Sequence, residues 1–236
     1  MTMQISELTQ SLAVFEHWQQ QALSQRVEIV KQWASLLSQR STDWAEAVAM
    51  INLQCQQATA LIGQTQSLPG PTGESNELYC VGRGSFLLSG DEQANSVALL
   101  GLISAALVAG NTIICSVHPK ADCQLELALS DLLRAGCPDR VAIYTAYDTA
   151  EALAKQPALA GVALVGASHT CQRFNLLLAE REGQIAQLIY EGDLQDYSLL
   201  SEPTLCLRFI TERTRTINIT AVGGNATLLE LGNETH

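Results

Sequence analysis

The residues best placed for chemistry lie in the run Val165-Gly166-Ala167-Ser168-His169-Thr170. An apolar stretch ends at Val165 and a helix pattern opens directly after Gly166, so the N–H-rich, positive end of that helix faces outward from the end of a strand. A phosphate can be held there by backbone amides, with the Ser168 hydroxyl as a further donor. The plainer alternative makes Ser168 an N-cap, its oxygen accepting from an amide of the first turn. At the level of sequence both stay open.

Glu191 closes the apolar run Gln187-Leu188-Ile189-Tyr190 and so falls at the carboxyl end of a strand, where open α/β sheets form their crevice. A carboxylate in such a place works as a general base when burial raises its pKa. Gly192 and Asp193 beside it are turn formers, which equally fits an exposed loop acid. His118 follows another apolar run beside Pro119 and Lys120, a loop position near the same edge. His17, His169 and His236 stand elsewhere, and four scattered histidines point to surface positions rather than to a metal site or a triad. Gly82-Arg83-Gly84 begins a dinucleotide fingerprint, but Leu87 occupies the place of its third glycine, so a turn between strands is the simpler reading.

The seven cysteines form no Cys-x-x-Cys pair and have no histidine at metal-ligand spacing. Most sit in apolar segments and read as reduced, buried thiols; structural disulfides and metals are not expected.

The elements that must position these residues are set by periodicity. The first 63 residues contain no proline and their only glycine is Gly63, a composition suited to helices. Trp44, Val48, Ile51, Cys55, Ala58 and Ile62 recur at steps of four and three, one helical stripe, with Thr42 and Asp43 as N-caps and Asp43 with Glu46 at capping-box spacing. An earlier helix carries Val27, Val30, Trp33, Ala34 and Leu37. From Gln66 to Asn76 the chain concentrates proline and glycine, and an irregular connection is expected. Beyond Leu78, apolar β-branched runs alternate with helix patterns: SFLLS, NTIICSV, VAIYTA, VALVG and QLIYE are five strands of a parallel, doubly wound sheet, an α/β Rossmann-like fold. After Glu191 the pattern breaks, and alternation from Leu205 onward predicts an extended or hairpin region. Three parts result: a helical segment over residues 1–68, the Rossmann-like domain over 69–200, and a β-flap with tail over 201–236.

With 47% hydrophobic and 16% charged residues the chain can bury a full core. A formal charge of -11 disfavours binding to nucleic acid or anionic membrane, which rests on clustered Lys and Arg. No apolar window of about 18 residues is present and the first residues lack a signal-peptide pattern, so no membrane span and a cytoplasmic location are expected.

Several of these stretches resemble the aldehyde dehydrogenase superfamily, and within it the proline utilization A enzymes and their pyrroline-5-carboxylate dehydrogenase domains. LPGPTGESNELYCVGRG is similar to the segment entering their nucleotide domain, AALVAGNTII to the first crossover helix and second strand, and LLRAGCPDRV to the next helix and strand. LVGASHT stands where the family has its FTGS loop, and RTRTINITAVGGNATLL is similar to the end of the oligomerisation flap. The resemblance spans most of the chain after Leu68, and more loosely the helices around Trp18, Arg26 and Trp33. It implies NAD as the family cofactor, with Gly166, Ser168 and His118 on its binding surface and Glu191 at the place of the general base.

Departures from the pattern redirect the expectation. Where the family's PWNFP motif supplies an oxyanion-stabilising Asn, this chain has SGDEQANS, with Glu92 or Gln93 near that place. The ribose-binding Lys and Glu fall near His118 and Ala121. Only about a dozen residues separate Glu191 from the flap near Leu205, where the family inserts the domain carrying its nucleophilic Cys. Cys206 is no substitute, being within the flap strand. Without thiolate and oxyanion site, acyl-enzyme chemistry is not assembled.

The layout resembles the extra C-terminal domain of longer proline utilization A proteins, whose flap covers an internal cavity for the pyrroline-5-carboxylate intermediate. This resemblance implies a catalytically silent module without cofactor, with Glu191 a vestigial base. It would form a homo-oligomer such as a dimer, or dock on a partner of the same family, through residues 203–229. The competing expectation is an NAD-dependent aldehyde dehydrogenase, or a fragment of one, acting on pyrroline-5-carboxylate or glutamate semialdehyde; a nucleotide sensor without chemistry is a third.

Overall fold

A computed structural model describes residues 6–71, 73–121 and 124–218. Three helices come first: α1 (Ser6–Gln20), α2 (Leu23–Arg40) and α3 (Ala45–Ile62). The stripes read from sequence are the buried ones: Val30, Trp33 and Leu37 on α2 and Ile51, Cys55 and Ala58 on α3 are wholly enclosed. The cap is different from the expected one. A 3₁₀ turn over Thr42–Trp44 precedes α3, and the Ser41 side chain accepts from the Asp43 amide. Thr42 and Asp43 lie inside the turn instead of capping α3.

The segment from Gln66 to Asn76 is mostly paired rather than irregular. Strand β1 (Gln66–Leu68) lies antiparallel to β2 (Glu74–Gly82), with Gln66 opposite Leu78 and Leu68 opposite Asn76. Pro69 and Pro71 lie outside both strands, at the hairpin tip, where neither is asked to donate to a ladder.

The remaining strands alternate with helices in the predicted order: β3 (Ser85–Gly90), α4 (Ser96–Val108), β4 (Thr112–Val117), α5 (Leu125–Arg134), β5 (Ala142–Tyr144), α6 (Ala150–Ala154), β6 (Gly161–Val165), α7 (Ser168–Ala179) and β7 (Gln187–Glu191). The five strands pair in parallel in the order β5-β4-β3-β6-β7. Strands β3, β4 and β6 are buried throughout, which is why they read as unbroken apolar runs instead of alternating ones.

One face of the sheet carries α4 and α5, with α2 and α3 as a second layer above them. Being enclosed on every side, α4 is apolar all round, and only Ser96 of its thirteen residues escapes burial. Gly101 permits the closest packing in that layer: a β-carbon there would lie 2.8 Å from side-chain carbons of both Met50 and Leu200. The opposite face is covered by α1, α6 and α7. A buried hydroxyl cluster docks α1 at the amino ends of the central strands, Ser11 donating to Thr112 Oγ1 at 2.8 Å with the Ser85 hydroxyl 2.6 Å away.

The tail departs from the expected ribbon. Leu205–Phe209 is a 3₁₀ turn, not a strand: Leu205, Cys206 and Phe209 are buried in the core while Leu207 is exposed, so the apolar alternation does not mark a buried strand face. Strand β8 (Ile210–Asn218) then pairs antiparallel along the whole of β2, forming a three-stranded sheet with β1. Residues 219–229 of the proposed flap lie outside the described residues, as do Cys123 and His236. Asn111 locks this sheet to the domain: its Oδ1 accepts from the Arg83 and Gly84 amides, and its Nδ2 donates to the carbonyls of Ala106 and Phe209. Gly82 thus ends β2, and Arg83-Gly84 is the turn between β2 and β3.

Candidate functional site

The strand order fixes where a ligand site can form. The chain runs from β3 outward through β4 to β5 and then returns to place β6 on the other side of β3. A crevice is expected beyond the carboxyl ends of β3 and β6, the point where the winding reverses. Asp91 follows β3 there, and Gly166 follows β6. A cavity of about 180 Å³ opens at this point, lined among others by Asp91, His118, Tyr147, Ala167, His169 and Arg173.

The amide end of α7 is already occupied. Asp91, 7% exposed, takes the Ala167 amide on its Oδ2 at 2.7 Å, together with the Thr170 hydroxyl at 2.7 Å, and the Gln93 amide on its Oδ1 at 2.9 Å. Burial pushes this carboxyl up, but the amides of Ala167 and Gln93, the Thr170 hydroxyl and the neighbouring His169 together outweigh it and hold it below the usual carboxylate range. The carboxylate lies directly on Gly166, whose φ of +141° is a glycine conformation. The same glycine donates its amide to the Glu191 carbonyl at 3.2 Å and accepts the Tyr190 hydroxyl on its own carbonyl at 2.9 Å.

Of the residues singled out by sequence, Gly166 is buried behind the crevice against the Asp91 carboxylate, and the cavity itself is lined by Ala167, His169 and Thr170 next to it. Ser168 lies on the exposed side of α7 and is not its N-cap; Ala167 holds that position and no side chain caps it. His118 is half-buried at the cavity wall, its Nδ1 accepting the Lys120 amide at 3.2 Å and its ring edge-on to Tyr147 at 5.0 Å. His17 and His169 are exposed, in accord with surface positions.

Glu191 is neither exposed nor turned toward that cavity. It is 1% exposed, its Oε1 accepts the Asp193 amide at 2.9 Å, and its Oε2 accepts the amides of Leu199 and Leu200, both at 3.0 Å. The carboxylate thus ties down the connection over residues 192–209. Gln54 adds a hydrogen bond from its amide to the Leu200 carbonyl at 2.8 Å, and the Leu200 side chain fills the notch over Gly101.

All described cysteines have thiols pushed up by burial, Cys55 and Cys137 to about 12 and Cys206 to about 11, so none is thiolate near neutral pH. Cys80 and Cys171 are half-buried and the others fully so. No group of three or more His, Cys, Asp or Glu able to hold a metal is present among the described residues.

Sequence reasoning passed over Asp91 altogether. Its partner glycine lies in another βα unit, and an Asp after a strand carries no local mark of what it will meet.

The geometry has relatives. The chain is 28% identical over 193 residues to the bifunctional protein PutA of Salmonella typhimurium, covering 81% of this chain and 13% of that protein. It is 24% identical over 205 residues to the N-succinylglutamate 5-semialdehyde dehydrogenase of Yersinia pestis, covering 77% of this chain and 40% of that one. A crystal structure of proline utilization A from Bradyrhizobium japonicum superposes with a TM-score of 0.72 at 28% identity, over 79% of this chain and 21% of that chain. The chain is a relative of the aldehyde dehydrogenase superfamily. It spans well under half the length of these relatives, and no protein-family model matches it. The aldehyde dehydrogenase relationship and the Rossmann-like fold expected from the motifs are thus upheld, including the likeness to proline utilization A. Among the described residues no helix is long and apolar enough to cross a membrane.

Proposed function

We propose that this chain is a catalytically silent aldehyde dehydrogenase-like domain that works by contact. The observation that carries the reading is the use made of Glu191. At the position matching the superfamily's general base, the carboxylate is spent on three backbone amides of a connection that runs directly from β7 into the 3₁₀ turn before β8. By resemblance that connection stands where the thiol-bearing domain would be inserted, and the described thiols, buried or half-buried, are all pushed up by burial.

The surface offered for contact is the sheet β1-β2-β8. Residues 211–218 of β8 are exposed on both faces of the strand. With β2 half-buried behind it, this exposed strand is the part of the sheet open to a second surface. A second copy, or a partner of the proline utilization A kind, fits the resemblance.

A test by truncation before Pro203 would remove Leu205, Cys206 and Phe209, all wholly buried, and so would unfold the domain itself. Substitution on the exposed strand is sound: Arg213→Glu combined with Ile217→Asp changes one face of β8 without touching the core. Light scattering at micromolar concentration is expected to show a dimer or larger species, or binding to a proline utilization A partner, that the double variant loses. A wild-type monomer that binds no such partner, or an assembly indifferent to both substitutions, would overturn the contact role. NAD-dependent oxidation of pyrroline-5-carboxylate that falls with Glu191→Gln would instead establish the competing dehydrogenase reading.

A further inference from the structure

The crevice at the winding reversal has the parts of an anion site. A twelve-residue helix begins there, a glycine leaves its Cα bare, and His118, His169 and Arg173 surround it. In this chain the anion is covalently attached. The Asp91 carboxylate meets the Ala167 amide and the Thr170 hydroxyl with one oxygen, each at 2.7 Å, and stands against the bare face of Gly166 so closely that not even a β-carbon fits between. The nearby cations are partly neutralised as well: Arg173 pairs with Glu151 and Lys120 with Glu92, both at 3.1 Å.

We propose that Asp91 is a built-in substitute for a phosphate group, filling the amide cradle between Gly166 and Thr170 and thereby closing the crevice to phosphate-bearing ligands; its removal opens a latent pyrophosphate site. Two physical effects act together. The side chain takes the volume a phosphate would need, and its negative charge, concentrated by burial, repels a second anion at the same amides. The amides themselves lose nothing by the substitution, since a carboxylate satisfies them as a phosphate would. This inference does not rest on the assembly reading. Its readout is anion binding, which moves independently of oligomer size and of turnover.

The test compares wild type with Asp91→Ala, each shown to be folded by circular dichroism, in calorimetric titrations with inorganic pyrophosphate and in amide NMR spectra. Wild type is expected to give no binding in the millimolar range and no shift at Ala167. The alanine variant is expected to bind at least tenfold more tightly, with shifts at the Ala167 and Thr170 amides. A folded alanine variant that binds no better than wild type, or whose shifts lie elsewhere, overturns the proposal. So does a wild type whose Ala167 amide already responds to pyrophosphate. Should the alanine variant fail to fold, Asp91→Ser keeps an acceptor for the Gln93 amide and serves in the same comparison.

Discussion

The carboxylate of Asp91 rests on the bare Cα of Gly166, so that a β-carbon at residue 166 would fall 2.2 Å from Asp91 Cγ and 2.3 and 2.4 Å from its two oxygens. Two residues from different βα units are thereby made interdependent. Gly166→Ala is expected to destabilise the wild type by more than about 3 kcal/mol, since it adds a backbone penalty at φ +141° to a buried clash. In an Asp91→Ala background the clash is gone, and the cost should fall by about 1 to 2 kcal/mol. Urea unfolding of the four proteins in this cycle measures the coupling. Strictly additive costs would show that the carboxylate does not press on the glycine.

Glu191 yields a prediction that separates an anchor from a base. Glu191→Gln keeps one acceptor oxygen and replaces the other with an NH₂ donor facing amides. A loss of about 2 to 3 kcal/mol in unfolding free energy is expected, the range for buried amides left without their charged acceptor. Hydrogen exchange should quicken first at the amides of Leu199 and Leu200, which the lost oxygen served. Unchanged stability and protection would mean that the carboxylate is free for other work.

The five parallel strands were readable because strands buried on both faces are written as short apolar runs, and α2 and α3 because their buried stripes keep the helical period. Other features leave no local trace. Pro69 and Pro71 mark a hairpin tip as plainly as they would mark a loop, so the strands on either side were hidden. Leu205 to Phe209 alternates like a strand, yet it is a 3₁₀ turn that buries Leu205, Cys206 and Phe209 near α3 and α4 and leaves Leu207 exposed. Glu191 is held by backbone amides, and Asp91 meets Ala167 and Gly166 only through the fold. Partners that are main-chain groups contribute no letter to a sequence pattern.

Arg26 is another side chain whose partners are all main-chain groups. It is 7% exposed, and burial lowers its guanidinium to about 10, so it stays charged at neutral pH. Its donors go to the carbonyls of Gln19, Gln21 and Val108, the last of these at 3.0 Å. These lie at the carboxyl ends of α1 and α4, where helix dipoles present partial negative charge. Arg26→Met should cost about 3 kcal/mol by leaving buried carbonyls unpaired. Arg26→Lys should recover only part, because an ammonium cannot reproduce the planar fork. Equal stability of wild type and the Met variant in urea unfolding would contradict the hub role.

Acid stability depends on the two buried aspartates, Asp91 and Asp131. Asp131 is wholly enclosed; the hydrogen bonds from Arg40, then from Arg134, keep its carboxyl below the usual range against the upward push of burial. Asp91 is held below it by the amides at α7. A carboxyl with a lowered folded pKa contributes stability that is fully present above its unfolded value, about 4, and is lost as pH falls through the folded value. In that window the unfolded chain binds more protons, so stability rises with pH. The urea midpoint should therefore be flat with respect to these groups from about pH 5 to 8 and drop steeply below about pH 4. Asp131→Asn removes one of the two titrations: it should lower stability at neutral pH, where the Arg40 pair is lost, and make the acid limb shallower. An acid limb as steep as that of wild type would show that the Asp131 pair does not stabilise the fold through its charge.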